Sequence, residues 1–174
     1  MGGKEQESPY VEFARRVVES YVREGSTPPA SEAPVELQGK KAGVFVSLKK
    51  RGALRGCIGT IHPLADNVAE EIRSNAVSSA TTDSRFPPVT AEELDDLEYS
   101  VDVLEEAEDI EDIGELDPSV YGVIVRSGGR SGLLLPDLEG VDTPEEQVRI
   151  SMMKAGIRPD EPVSLQRFKV SRYK

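Results

Sequence analysis

The sequence predicts an α+β fold: a mainly antiparallel β-sheet of hairpins packed with about three helices. Two pairs of alternating apolar segments, within residues 42–61 and 120–135, are each joined by a short glycine-bearing turn, the pattern of antiparallel hairpins. Three other segments repeat apolar residues at three- and four-residue spacing behind a recognisable helix start. Strands and helices do not alternate in the rhythm of a doubly wound parallel sheet.

The first helix opens at Ser8-Pro9, a capping hydroxyl followed by a proline whose missing N–H is not needed there. Tyr10, Phe13, Ala14, Val17, Val18 and Tyr21 form its apolar stripe, and Gly25 is its stop. Residues 26–34 hold three prolines and read as an exposed loop. A strand over 42–49 sets Val44, Val46 and Leu48 against Phe45 and Ser47. A second strand, 54–61, places Arg55, Cys57, Gly59 and Ile61 on one face, with Arg55 and Cys57 about 7 Å apart.

A helix from His62-Pro63 to about Ser79 would bury Leu64, Ala65, Val68, Ala69, Ile72, Ala76 and Ala80. The loop 81–88 carries Asp83, Arg85 and an anchoring Phe86. Thr90-Ala91-Glu92-Glu93 has capping-box spacing before a short helix, and a strand follows over 98–104. The acidic stretch 105–117 reads as solvated surface pinned by Ile110, Ile113 and Leu116. The second hairpin turns at Ser127-Gly128-Gly129-Arg130. Thr143-Pro144-Glu145-Glu146 is the strongest helix start, with Val148, Met152 and Ala155 inward and Gly156 as stop. A closing basic strand is expected over 163–173. The expected organisation is a disordered start, residues 1–8, and one domain, 9–174, with no internal repeat apparent.

A chain of 174 residues is long enough to bury a real core, built from Val, Leu, Ile and Ala because aromatics are few and tryptophan is absent. The formal net charge of −11 repels nucleic acid and anionic lipid at long range. One cysteine rules out an internal disulfide and fits a reducing compartment. No apolar run approaches a membrane span, and the amino terminus lacks a signal-peptide core, so a cytoplasmic location is expected.

The stretch Leu54-Arg55-Gly56-Cys57-Ile58-Gly59-Thr60 holds that sole cysteine between glycines. Cys57 reads as a nucleophile activated by a nearby cation, or as a small buried hydrophobe. Arg55 could hold an anion through its planar fork, or bridge to an acid on a neighbouring strand. Asp83 and Arg85 read either as proton-orienting and anion-holding groups or as a structural ion pair. His62, the only histidine, falls on the face opposite Cys57 in a regular strand and reads as a surface residue. Gly56 and Gly59 lack the context and lysine of a phosphate-cradling loop. Scattered carboxylates with one His and one Cys show no metal-ligand spacing, so no metal is expected. The basic residues Lys49, Lys50, Arg51, Arg167, Lys169, Arg172 and Lys174 lack the aromatic platform of a nucleic-acid face.

The seven-residue stretch resembles the signature of the AMMECR domain. Asp83-Ser84-Arg85-Phe86-Pro87-Pro88-Val89 with Glu93-Leu94, Tyr121-Gly122-Val123-Ile124-Val125, Gly132-Leu133-Leu134-Leu135-Pro136 and Lys154-Ala155-Gly156-Ile157 extend the likeness over residues 9–174. It is nearest the prokaryotic AmmeMemoRadiSam branch. The resemblance implies an α+β fold with a larger and a smaller lobe, the signature in a cleft, and company with a Memo-like protein and a radical S-adenosylmethionine enzyme. It implies no established activity and leaves the cofactor unassigned.

Three functions follow as expectations. One is an enzyme or enzyme subunit acting on a small anionic substrate, with Cys57 and Asp83 catalytic and Arg55, Arg85, Gly56, Gly59 and Thr60 holding the substrate. The second is a non-catalytic binding or scaffold protein using the same residues. The third is an RNA-binding protein.

Overall fold

The structure, a computed structural model, describes residues 6–174. Helix α1, Pro9–Glu24, starts where Ser8 Oγ accepts the Tyr10 N–H at 3.3 Å and ends at Gly25 in the left-handed region, φ 73°. Glu7 pairs with Arg15. The rest of the expected disordered start, residues 1–5, lies outside the described residues. Val11, Phe13, Ala14, Val17 and Val18 are buried, while Tyr21 is exposed. The proline-rich loop is shaped by two 3-10 turns, Ala30–Glu32 and Val35–Leu37, which bury Ala30, Ala33 and Leu37.

Strands β1, Val44–Lys50, and β2, Ala53–Gly59, form the first hairpin. Helix α2 runs Val68–Thr81, six residues later than the His62-Pro63 start the sequence suggests. Asn67 provides the cap instead, accepting the Glu70 N–H at 2.9 Å. The residues before it form a loop fixed by the buried Glu71 carboxylate, which accepts from Thr60 Oγ1 at 2.8 Å and from the Leu64 and Ala65 N–H groups at 2.8 and 2.9 Å. Leu64 is therefore 85% exposed and not in the core. Thr90 and Glu93 form the expected capping box on a 3-10 turn, Ala91–Asp96. Strand β3, Leu97–Leu104, buries Tyr99, Val101 and Val103 as predicted, and its other face carries the buried Asp102.

The acidic stretch contains a strand that charge alone concealed. β4, Glu108–Ile110, is followed by β5, Gly122–Ser127, and β6, Arg130–Leu134. Helix α3, Pro144–Ala155, has the predicted Thr143 cap and Gly156 stop, φ 69°. The single closing strand is in fact two, β7, Ser164–Phe168, and β8, Val170–Tyr173, which join different sheets.

The sheets are β2-β1-β3-β8 and β4-β7-β5-β6, with β1 antiparallel to β2 and β3, β7 antiparallel to β4, and β5 antiparallel to β6 and β7. Contacts divide the chain into two compact units, one ending at Val103 and taking in Ser171–Lys174, the other Leu104–Val170. The first core packs α1 and α2 on the Val44, Val46 and Leu48 face of β1. The second packs α3 on Val123 and Val125. Each buried aliphatic side chain contributes about 1.5–3 kcal/mol, so these two clusters supply the main drive to fold. Among the described residues no helix is long and apolar enough to cross a membrane.

Helix α2 lies so close to β2 that a Cβ on Gly56 would stand 2.1 Å from the Ser79 carbonyl oxygen. Backbone cannot yield there as a side-chain tip could. Gly56→Ala should destabilise by about 3 kcal/mol in urea unfolding. Gly128→Ala, at φ 60° with open space around it, should cost only about 1 kcal/mol.

Candidate functional site

Strand β2 is an edge strand, so the outward N–H and C=O of Cys57 have no neighbouring strand. Side chains take that place. Cys57 N–H donates to Asp83 Oδ2 at 3.0 Å, and Arg85 Nη2 reaches the Cys57 carbonyl at 3.4 Å. Asp83 is buried and also accepts from Arg85 three times: Nη2 to Oδ2 at 2.7 Å, Nε to Oδ1 at 3.0 Å, and the backbone N–H to Oδ1 at 3.1 Å. The Arg85 guanidinium, with the Cys57 N–H behind it, holds the Asp83 carboxyl well below the usual carboxylate range. Arg85 itself stays 55% exposed and lies over the Phe86 ring at 5.5 Å.

The Cys57 thiol is half-buried, and its partner is Ser47 across the hairpin, Oγ to Sγ 3.1 Å. Burial pushes this thiol up, and the nearby Asp102 and Asp83 charges reinforce the shift. The Ser47 hydrogen bond and the Arg85 charge offset part of it. Asp102, on the next row of the sheet, is itself occupied by Arg172 at 2.8 and 3.1 Å.

Arg55 does not join this group. The β1–β2 register slips so that Leu48 faces Gly56 and Lys49 faces Leu54, leaving Arg55 as the extra residue of a bulge. Its guanidinium grips Glu93, Nε to Oε1 at 2.9 Å and Nη2 to Oε2 at 3.1 Å, and is 11% exposed. Lys50 adds a third contact at 3.0 Å, and the same carboxylate accepts the Thr90 N–H. Arg55 first, then the Thr90 N–H, hold the Glu93 carboxyl far below its ordinary value. Regular alternation puts Arg55 beside Cys57; the bulge gives it a structural ion pair instead.

The remaining residues of the signature serve the fold. Gly56 admits α2, and Gly59 admits the Phe45 ring, whose nearest carbon would lie 2.2 Å from an added Cβ. Thr60 donates to Glu71 and accepts from Asn75. His62 is exposed on the loop that follows. Of the seven residues expected at the site, Cys57, Asp83 and Arg85 come together, with Asp83 as the organiser. Two further residues of the site give no local signal in the sequence: Ser47, which meets Cys57 only across the folded hairpin, and Asp102, hidden in an apolar strand.

Several expected basic-patch residues are paired: Lys50 with Glu93, Arg51 with Asp96, Arg167 with Glu108 and Arg172 with Asp102. Among the described residues no three His, Cys, Asp or Glu side chains gather as metal ligands.

Asp83 and Glu93 both have folded-state values below their unfolded ones. The unfolded chain therefore takes up protons first as pH falls, and the stability these groups give above about pH 4 is lost as acidity approaches their folded values. Thermal midpoints should fall steadily from about pH 5 to pH 2. The double variant Asp83→Asn, Glu93→Gln should be less stable at neutral pH, by about 3 kcal/mol or more, with a flatter acid limb.

Residues 11–174 match the sequence profile of the AMMECR1 family. A Thermotoga maritima protein is 56% identical over 171 residues, spanning 97% of this chain and 98% of its own. A Clostridium acetobutylicum protein is 48% identical over 175 residues, 98% of this chain but 37% of that protein, so most of the longer polypeptide lies outside the match. The crystal structure of an uncharacterized protein from Pyrococcus horikoshii aligns with a TM-score of 0.86 at 36% identity, over 94% of this chain and 88% of that one. With the signature, both hairpins and the closing strands all inside the matched span, this chain belongs to the AMMECR1 family.

Proposed function

We propose that the chain is a cytoplasmic, non-catalytic binding domain that recognises an anionic group through Arg85 and the Cys57 face of β2. The observation that carries this reading is geometric: the Asp83 carboxylate accepts four hydrogen bonds, three from Arg85 and one from the Cys57 N–H, while the Cys57 thiol meets Ser47 and, among the described residues, no base. Asp83 is locked as a carboxylate, and the Cys57 thiol is pushed toward its neutral form. A general acid–base pair needs values near the working pH, and a nucleophilic cysteine needs a thiolate. Neither condition is favoured here.

What the site offers is a held cation. Asp83 fixes the guanidinium by Nε and Nη2, while Nη1 makes no hydrogen bond among the described residues. An arginine with one edge anchored and the other free is pre-organised for an incoming oxyanion. The AMMECR resemblance suggests the setting: service to a Memo-like protein and a radical S-adenosylmethionine enzyme. The Clostridium relative, in which the matched segment is the minor part of a longer chain, supports work alongside another polypeptide.

Two measurements test this. Alkylation of Cys57 by iodoacetamide should rise with pH to a midpoint above the free-thiol value of about 8.5. A midpoint below about 7 would restore the nucleophile and with it the enzyme reading. In capture experiments with the Memo-like and radical enzymes, Arg85→Gln should abolish retention. Arg51→Gln, which removes an exposed cation on the β1–β2 turn, should leave it intact. Equal retention by both variants would end the Arg85 reading.

A further inference from the structure

The second unit is built on the plan of the first and differs from it beside its helix. In each unit a hairpin carries a helix on one face, and a third strand returns beside the hairpin's first: β2-β1-β3 with α2, and β6-β5-β7 with α3. Close contacts set the correspondence. A Cβ on Gly56 would lie 2.1 Å from the Ser79 carbonyl oxygen, and one on Gly132 2.0 Å from that of Ser151. Ser79 Oγ donates to the Asn75 carbonyl at 2.8 Å, and Ser151 Oγ to that of Gln147 at 2.9 Å. Ser79 on α2 therefore answers to Ser151 on α3, and the other helix positions follow in step.

In the first unit one flank of α2 is covered by a second helix. That flank carries Ala69, Ala76 and Ala80, all buried in one core with Phe13 and Val17 of α1. Arg73, on the same flank, reaches Thr27 just past the end of α1, Nε to Oγ1 at 2.8 Å. The matching positions on α3 are Glu145 for Arg73, Val148 for Ala76 and Met152 for Ala80. With Arg149 and Met153 they form one stripe at helical spacing. Among the described residues α3 is the only α-helix of its unit. Beside the stripe stand Ile113, in the 3-10 turn Ile113–Glu115, and Ile157 and Pro159 beyond the helix end. Together they line a groove of about 400 Å³. From Glu145 to Met153 it follows α3 for about 12 Å, a little over two turns. A short helix with apolar side chains at i, i+3, i+4 and i+7 has that reach.

The lining and the rim say what kind of helix fits. A single exposed apolar residue is ordinary, but Met153, 62% exposed, continues an apolar channel through Val148, Met152, Ile113 and Ile157. Methionine is flexible and polarisable, and adapts to anchors of different shape. The cations at the rim are already neutralised, Arg149 by Glu146 and Arg158 by Asp160 and Glu161. Glu145 lines the groove and Glu111 stands two residues before Ile113. Neither carboxylate has a partner among the described residues. The surplus charge at the rim is negative, so lysine or arginine on the incoming helix complements it.

We infer that the α3 groove is a docking site for a basic amphipathic helix of a partner polypeptide. The helix lies along α3 as α1 lies along α2. Its apolar side chains enter between Ile113 and Met153, and its cations meet Glu111 and Glu145. This surface belongs to the second unit and does not depend on the anion-binding reading of Arg85.

The test uses a synthetic peptide of about 15 residues, with leucines at i, i+3, i+4 and i+7 and lysines and alanines elsewhere. It is titrated into the full chain labelled with ¹³C at the methionine methyls, two of whose three signals come from Met152 and Met153. Both should shift saturably. A twin with glutamates in place of the lysines, and a scrambled peptide of the same composition, should each bind at least about tenfold more weakly. Met153→Lys, at an exposed position, should keep its thermal midpoint within about 3 °C and weaken binding about tenfold. The double variant Glu111→Gln, Glu145→Gln should weaken it about fivefold. Methionine signals that do not move overturn the inference. Equal binding of the acidic twin or the scrambled peptide overturns it too, as does wild-type affinity in both variants. A dimer in sedimentation that Met153→Lys dissolves would make a second copy of this chain the occupant, and the inference would fail.

Discussion

The arrangement around the signature depends on one buried carboxylate at the edge of a sheet. An edge strand presents unpaired N–H and C=O groups, and natural proteins cover or charge such edges. At Cys57 the cover is an ion pair: Asp83 receives the N–H and Arg85 meets the C=O. The same contact ties the loop after α2 to β2 and sets the direction of the guanidinium. Burial of Asp83 is tolerable because its charge is balanced and its oxygens accept four hydrogen bonds. Removing either partner would strand the other, so the edge cover and the cation stand or fall together.

The signature is therefore two overlapping devices in one strand. Gly56 and Gly59 let α2 and the Phe45 ring approach the backbone. Thr60 joins Glu71 in fixing the loop ahead of α2. Arg55, released from the regular register by the bulge, locks β2 to the capping box through Glu93. These contacts hold the strand from three directions. Cys57 is left as the position where β2 shows polar chemistry on the face away from α2.

Elements carried by local chemistry were legible in the sequence. Ser8-Pro9, Thr90 with Glu93, and Thr143-Pro144 mark their starts because capping is a contact between near neighbours. Both hairpins and the Tyr99, Val101 and Val103 face were readable from alternation. What was hidden depended on partners distant in the chain. The bulge at Arg55 appears only when β1 is laid beside β2. Strand β4 opens on two exposed acids, Glu108 and Asp109, and is a strand because β7 offers its edge. Leu64 looked like the start of a helical stripe, yet Glu71 fixes its N–H in a loop. Asn75, Ser79, Gln147 and Ser151 look like surface polar residues but are buried, because each bonds backbone that only the folded hairpin or helix supplies.

A chain of net charge −11 and an anion-binding site are compatible because the two act over different distances. The overall field reaches outward only as far as salt permits, about 8–10 Å at physiological strength. A long polyanion such as RNA would lie across that field over its whole length, and binding it depends on many cations releasing counterions together. Here Lys50, Arg51, Arg167 and Arg172 are already engaged by carboxylates. A compact anion meets only the local donors. The Arg85–Asp83 pair carries little net charge, so it offers a directed N–H edge more than a strong cation. An oxyanion bound there as proposed would be selected by shape more than by charge, at a point where the net field of the chain opposes long polyanions.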